Sequence, residues 1–185
     1  METFDPYSLP AELPVPDDDG AADHLPGLAL PELVLESSQG PIDLAELAAE
    51  RAVIYVYPRT GLPGVAPLPG WDDVPGARGC TPQSCGFRDH AAELGELGYR
   101  VAGLSAQPLA AQIEFAERNR MPFPVIADPA LGLRETLGLP VFEIAGFTLY
   151  KRLVLIAVQG IIKKVFYPVF PPDRSADDVL GWLRS

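Results

Sequence analysis

The sequence predicts an α/β protein with a central mixed β-sheet and helices on both faces. Three observations lead there. The run Ala52-Val53-Ile54-Tyr55-Val56-Tyr57 is apolar at every position and largely β-branched or aromatic, as a strand covered on both faces requires. Strands then alternate with helix-length amphipathic segments as far as Gly138. Near the end, Leu153-Val154-Leu155-Ile156-Ala157-Val158 and Ile161-Ile162-Lys163-Lys164-Val165-Phe166 flank Gln159-Gly160 as a two-residue hairpin turn would.

The elements follow in order. Residues 1–26 hold Pro6, Pro10, Pro14, Pro16, Pro26 and the triplet Asp17-Asp18-Asp19, a composition that predicts an extended or partly disordered arm. The folded domain is expected over 27–185. Leu33-Val34-Leu35-Glu36 and Pro41-Ile42-Asp43 read as short strands, and Asp43 as the cap of a helix over 44–50. The strand at 52–57 stops at Pro58. Residues 59–79 are then a Gly/Pro-rich loop, too long for an ordinary connection and therefore functional or disordered. Helices are expected from the Cys80 region, over 87–97, over 108–120 and over 130–137, with strands at 100–105 and 123–128 between them. Ser175 is expected to cap the last helix, with Asp177 and Asp178 in its first turn.

The net charge of −11 is uneven: the first fifty residues contain twelve acids and no Lys or Arg. The body is nearly neutral and carries no basic stripe, which disfavours nucleic-acid binding. No stretch approaches the roughly 20 apolar residues that span a bilayer, so a membrane association is not expected. The start, Met1-Glu2-Thr3-Phe4-Asp5-Pro6, lacks a basic and apolar leader, and the chain reads as cytoplasmic.

The chemistry-bearing feature is the whole cysteine inventory, Cys80 and Cys85, in Gly79-Cys80-Thr81-Pro82-Gln83-Ser84-Cys85-Gly86-Phe87-Arg88-Asp89. Zinc needs four ligands, and His24 and His90 lack ligand spacing to the cysteines. A lone cysteine reads as a small buried apolar residue. Two at a helix start, in a cytoplasmic chain with no others, read as a redox pair. Thr81 is expected as N-cap and Pro82 at the first helical position, placing Cys80 where the helix dipole and free N–H groups favour a thiolate. Five residues of helix separate the two Cα atoms by about 8.7 Å, whereas a disulfide needs less than about 7 Å. The pair can therefore close only if the first turns unwind.

This segment resembles the peroxiredoxins of the peroxiredoxin Q, or bacterioferritin-comigratory-protein, type, in which Gly-Cys-Thr carries the peroxide-attacking cysteine and a cysteine five residues later resolves it. The strand ending in Tyr57-Pro58, the Phe123-Pro124-Val125-Ile126-Ala127-Asp128 segment and the Lys151-Arg152-Leu153 strand entry extend the likeness over about 28–185. The resemblance implies a thioredoxin-like fold and a thiol-dependent peroxidase acting on hydrogen peroxide or organic hydroperoxides. It makes Cys80 peroxidatic, Cys85 resolving and Arg152 the guanidinium that polarises the peroxide, with Pro58, Thr60 and Thr81 as substrate-binding candidates. It also implies thioredoxin or a similar thiol reductant as partner, a monomer or weak homodimer, and no metal or organic cofactor.

One departure stands out. The family pattern Pro-x-x-x-Thr-x-x-Cys is broken: residue 62 is Leu, and Cys80 comes about fifteen residues late. Thr60 or Thr81 is left to supply the missing hydroxyl. Trp71 reads either as part of a lid or as a buried anchor for the loop. Arg88-Asp89 reads as a helix-fixing ion pair, and both histidines as structural or exposed. The other readings are a thiol–disulfide oxidoreductase or redox sensor, disfavoured by the four-residue gap, and a non-catalytic binding module whose site the loop has closed.

Overall fold

The computed structural model describes residues 4–185. Its centre is a five-stranded sheet in the order β5-β4-β3-β8-β9. Strand β3 (Arg51–Val56) pairs in parallel with β4 (Arg100–Ser105), and β4 in parallel with β5 (Val125–Ala127). On the other side β3 pairs antiparallel with β8 (Leu153–Val158), which pairs antiparallel with β9 (Ile161–Phe166).

Alternation along β3 explains why that strand is apolar from Ala52 onward. Val53 and Tyr55, with Tyr57 beyond the strand end, face one core, built with Phe87, Leu94, Phe115, Val179 and Leu180. Ala52, Ile54 and Val56 face a second core with Leu44, Leu47, Leu133 and Leu137. The first core is covered by α2 (Cys80–Asp89), α3 (Ala91–Glu96), α4 (Leu109–Asn119) and α6 (Ser175–Arg184). The second is covered by α1 (Leu44–Leu47) and α5 (Gly132–Leu137). A small hairpin, β1 (Val34–Leu35) with β2 (Ile42–Asp43), leads into α1, whose N-cap Asp43 accepts from the N–H groups of Ala45 and Glu46 at 2.8 and 3.2 Å.

Three local readings need correction. The helix expected over 87–97 ends at Asp89, with His90 at φ −101°, ψ 7°, and restarts as α3. The His90 ring is held there by Glu93 and Asp177, at 2.6 and 3.1 Å. Ser175 does not cap α6; its hydroxyl accepts from Gln83 instead. A hairpin missing from the sequence reading joins β6 (Val141–Ile144) to β7 (Phe147–Tyr150) around Ala145-Gly146, both at positive φ.

The arm and the loop lie against each other. Residues 59–79 contain one 3-10 turn, Trp71–Asp73, with Trp71 buried against Phe142. Gly64 N–H donates to the Phe4 carbonyl at 3.0 Å, and the Phe4 ring lies under the Arg78 guanidinium at 4.5 Å. Arg78 also donates to the carbonyls of Asp5 and Ser8 and pairs with Asp72. Further along, Asp19 is held at 2.7 Å by both Lys151 and the Tyr167 hydroxyl. Those two bonds, Lys151 first, hold its carboxyl well below the usual range. Leu25 is fully buried in the second core.

Candidate active site

Cys80 opens α2 and shares the first core with Tyr57, which buried Pro58 follows. The residue before it, Gly79, is the N-cap at φ 101°, a conformation that favours glycine. A Cβ there would also meet Pro172 at 2.3 Å. Thr81 is therefore not the cap: it is the second helical residue, buried, and its hydroxyl has no partner among the described residues. The cap thus lies two residues earlier than expected, which moves Cys80 from the position before the cap to the first helical residue, where N–H groups are unspent.

Arg152 stands immediately before β8 and is 3% exposed. Its Nη2 donates to Cys80 Sγ at 3.2 Å. The same nitrogen lies at 3.2, 3.1 and 3.1 Å from the carbonyls of Gly76, Ala77 and Arg78. Its Nη1 donates to Gln83 Oε1 at 2.5 Å, and Gln83 Nε2 donates to Ser175 at 3.2 Å. The Cys80 thiol is also within 3.5 Å of the Ala77 carbonyl, to which it can donate. A guanidinium beside sulfur and free N–H groups at the same helix end both favour negative charge on that sulfur.

Gln83 was not singled out by sequence reasoning, because a helical glutamine between two cysteines resembles a surface residue. The readable signal was its spacing: three residues after Cys80 places it on the same helix face.

Cys80 is 3% exposed, and the last residues of the loop occupy the N–H groups of Arg152 that face it. A cavity of ≈ 330 Å³ reaches Arg152 from outside, between the arm at Pro16 and Asp17, the loop at Val74–Gly76, and Tyr167-Pro168-Val169.

Cys85 is half-buried in the same helix and unbonded to Cys80; both thiols are free. Its sulfur is 3.9 Å from Asn119 Oδ1. Burial pushes its thiol up, Arg88 pulls it down and Asp89 pushes it up again. Arg88 bonds Asp89 at 2.9 Å and the Asn119 carbonyl at 3.0 Å, which ties α2 to α4.

Thr60 is not brought to the cysteine. Its N–H and hydroxyl both go to Gln107 Oε1, at 2.9 and 3.2 Å. Arg59 lies over the Phe147 ring at 5.0 Å. His24 is exposed and bonds the carbonyl of Leu137, a residue of the second core, at 2.8 Å.

A sheet of this order, with a cysteine opening the helix after β3 and an arginine entering β8, defines a thioredoxin-like fold of peroxiredoxin kind. The redoxin family model matches residues 23–180, and the chain belongs to that family. Within it the chain is of the peroxiredoxin Q, or bacterioferritin-comigratory-protein, type. It is 26% identical over 160 residues to chloroplastic peroxiredoxin Q of Populus jackii, covering 86% of this chain and 68% of the relative. The Gentiana triflora relative is 26% identical over 184 residues, covering 96% and 77%. Among solved structures, peroxidoxin BcpB of Mycobacterium tuberculosis superposes with a TM-score of 0.68 at 26% identity, over 86% of this chain and 96% of that one. Xanthomonas campestris peroxiredoxin Q shares the fold, with a TM-score of 0.64 at 22% identity over 94% of each chain. No helix among the described residues is long and apolar enough to cross a membrane.

Proposed function

We propose that the chain is a thiol-dependent peroxidase in which Cys80 attacks the peroxide, Arg152 stabilises the charge that develops, and Cys85 resolves the product. The observation that carries this reading is the 3.2 Å contact between Arg152 Nη2 and Cys80 Sγ at the start of α2. The peroxide reaches Arg152 through the adjoining cavity and displaces carbonyls of 76–78 from its N–H groups. The Cys80 thiolate takes the nearer oxygen, the O–O bond breaks, and the leaving alkoxide or hydroxide departs with a proton as alcohol or water. Cys80 is then a sulfenic acid. Cys85 attacks its sulfur, water leaves, and the disulfide forms once the first turns of α2 have opened. A dithiol of the thioredoxin kind, supplied from outside, restores both thiols.

Pro58, buried where the strand ends, is assigned to the substrate site by resemblance. Thr81, whose hydroxyl has no partner among the described residues, is the candidate to serve the substrate in preference to Thr60, whose hydroxyl bonds Gln107. In this reading residues 27–185 are the catalytic domain, residues 1–26 an acidic arm laid against it, and the protein works in the cytoplasm as a monomer or weak homodimer.

The test is a stoichiometric one. Reduced protein mixed with an equal amount of hydrogen peroxide should lose both thiols rapidly, with a two-hydrogen fall in mass. Cys80→Ser should abolish the fast reaction, and Cys85→Ser should leave a trappable sulfenic acid on Cys80. Oxidation at the rate of an ordinary free cysteine would sink the proposal.

A further inference from the structure

A second cavity, of ≈ 390 Å³, lies between the loop and α4, and Cys80 does not line it. Its volume falls in the roughly 300–1,000 Å³ range of small-molecule sites. Leu62, Val65, Leu68 and Trp71 of the loop form one side, and Ala110 and Ala111 of α4 the other. Leu62 and Val65 are half exposed, so the loop keeps apolar side chains open to this space rather than folding them inward. The floor is polar but satisfied, because Thr60 and Gln107 bond each other.

Two charged residues line the cavity, and only one of them is neutralised. Glu114 is held by Arg118 Nε at 2.6 Å. Arg59 makes no ion pair or hydrogen bond among the described residues; its guanidinium has only the face of Phe147. An apolar cavity with an uncompensated cation on its wall suits a ligand with an apolar body and an anionic end. The cation and one apolar side come from residues 59–71, within the stretch in which this chain departs from the family spacing.

We propose that this cavity binds a medium-chain aliphatic carboxylate, its chain along Leu62, Val65 and Ala111 and its carboxylate on Arg59. The site is separate from the cysteine chemistry and does not depend on it. It carries its own reporter, since Trp71 lines it and the other tryptophan, Trp182, lies on α6.

The test titrates the full-length, reduced protein with decanoate, without peroxide, and follows tryptophan emission. Decanoate should give a saturable change. Arg59→Gln should weaken it about tenfold, the loss expected for one charge-assisted contact, and Arg59→Lys should recover part of it. Ala111→Phe, on a partly exposed helix face, should fill the cavity and abolish the change while leaving thermal unfolding unaltered. Decanol should bind more weakly than decanoate and be indifferent to Arg59→Gln. No saturable change, an unchanged response in Ala111→Phe, or equal binding of decanoate and decanol to the wild-type protein would each overturn the proposal. None of these outcomes bears on whether Cys80 reduces peroxide.

Discussion

The two sides of Cys80 are built on different principles. Downstream, Cys80–Asp89 is one helix whose backbone bonds itself beyond the first turn and whose inner face, with Phe87, is set by packing on β3. Upstream, residues 59–79 have a single 3-10 turn and find their order in long-range contacts: Arg78 with Asp5 and Ser8, Gly64 with Phe4, and the carbonyls of 76–78 with Arg152. The helix fixes where the sulfur sits. The loop decides what else may touch it, because its carbonyls occupy the Arg152 N–H groups that the proposed mechanism gives to the peroxide.

That contrast can be broken at Arg152, where the two sides meet. Arg152→Met should lower the second-order rate of Cys80 oxidation by about a hundredfold to a thousandfold, the usual cost of losing a donor to developing negative charge. Stopped-flow with hydrogen peroxide reads it, with Arg152→Lys as the folded control that keeps the charge. The helix side is tested at Gln83. Gln83→Ala leaves Arg152 Nη1 without its acceptor and frees the guanidinium to reorient. A slowing of about tenfold is expected; a merely structural role would lower thermal stability and leave the rate unchanged.

The loop side is tested at Arg78, which ties 76–79 to the arm. Arg78→Ala should let the loop end leave Arg152 more often, so alkylation of Cys80 by iodoacetamide should quicken several-fold. An unchanged rate would mean that the loop opens independently of the arm.

The smallest effect concerns the pH dependence of resolution. Burial raises the Cys85 thiol above its ordinary value while α2 is folded. An acid raised in the folded state contributes stability below its unfolded pKa and loses it as pH rises, so alkaline pH favours the unwound segment. If Cys85 attacks only after unwinding, disulfide formation in quenched-flow mass measurements should rise with a midpoint near that of a free thiol, about 8.5. A distinctly higher midpoint would mean attack from within the intact helix.

The same division governs what could be read from the sequence. Strand β3 and the β8–β9 hairpin were legible because burial on both faces leaves uninterrupted apolar runs. Cys80, Cys85 and Arg152 were legible through spacing and resemblance, and the structure brings Cys80 and Arg152 into contact. The β6–β7 hairpin was missed because its turn puts Ala145, a residue that rarely adopts positive φ, where Gly or Asn is the usual signal. The docking of the arm was hidden for a different reason. Its partners lie about sixty residues or more away in sequence, as with Gly64 and Phe4, Arg78 and Asp5 or Tyr7 and Arg118. The only local signs were two aromatic residues, Phe4 and Tyr7, in an otherwise Pro-rich and acidic stretch.

The central claim is that the two sulfurs, about 8.7 Å apart at the Cα atoms of an intact helix, join only when that helix opens. Amide hydrogen exchange on reduced and oxidised protein, with the Cys80–Cys85 disulfide confirmed by intact mass, tests it directly. The account predicts that oxidation strips protection from 81–86 while β3, β4 and β8 keep theirs. Equal protection of 81–86 in both forms would contradict it.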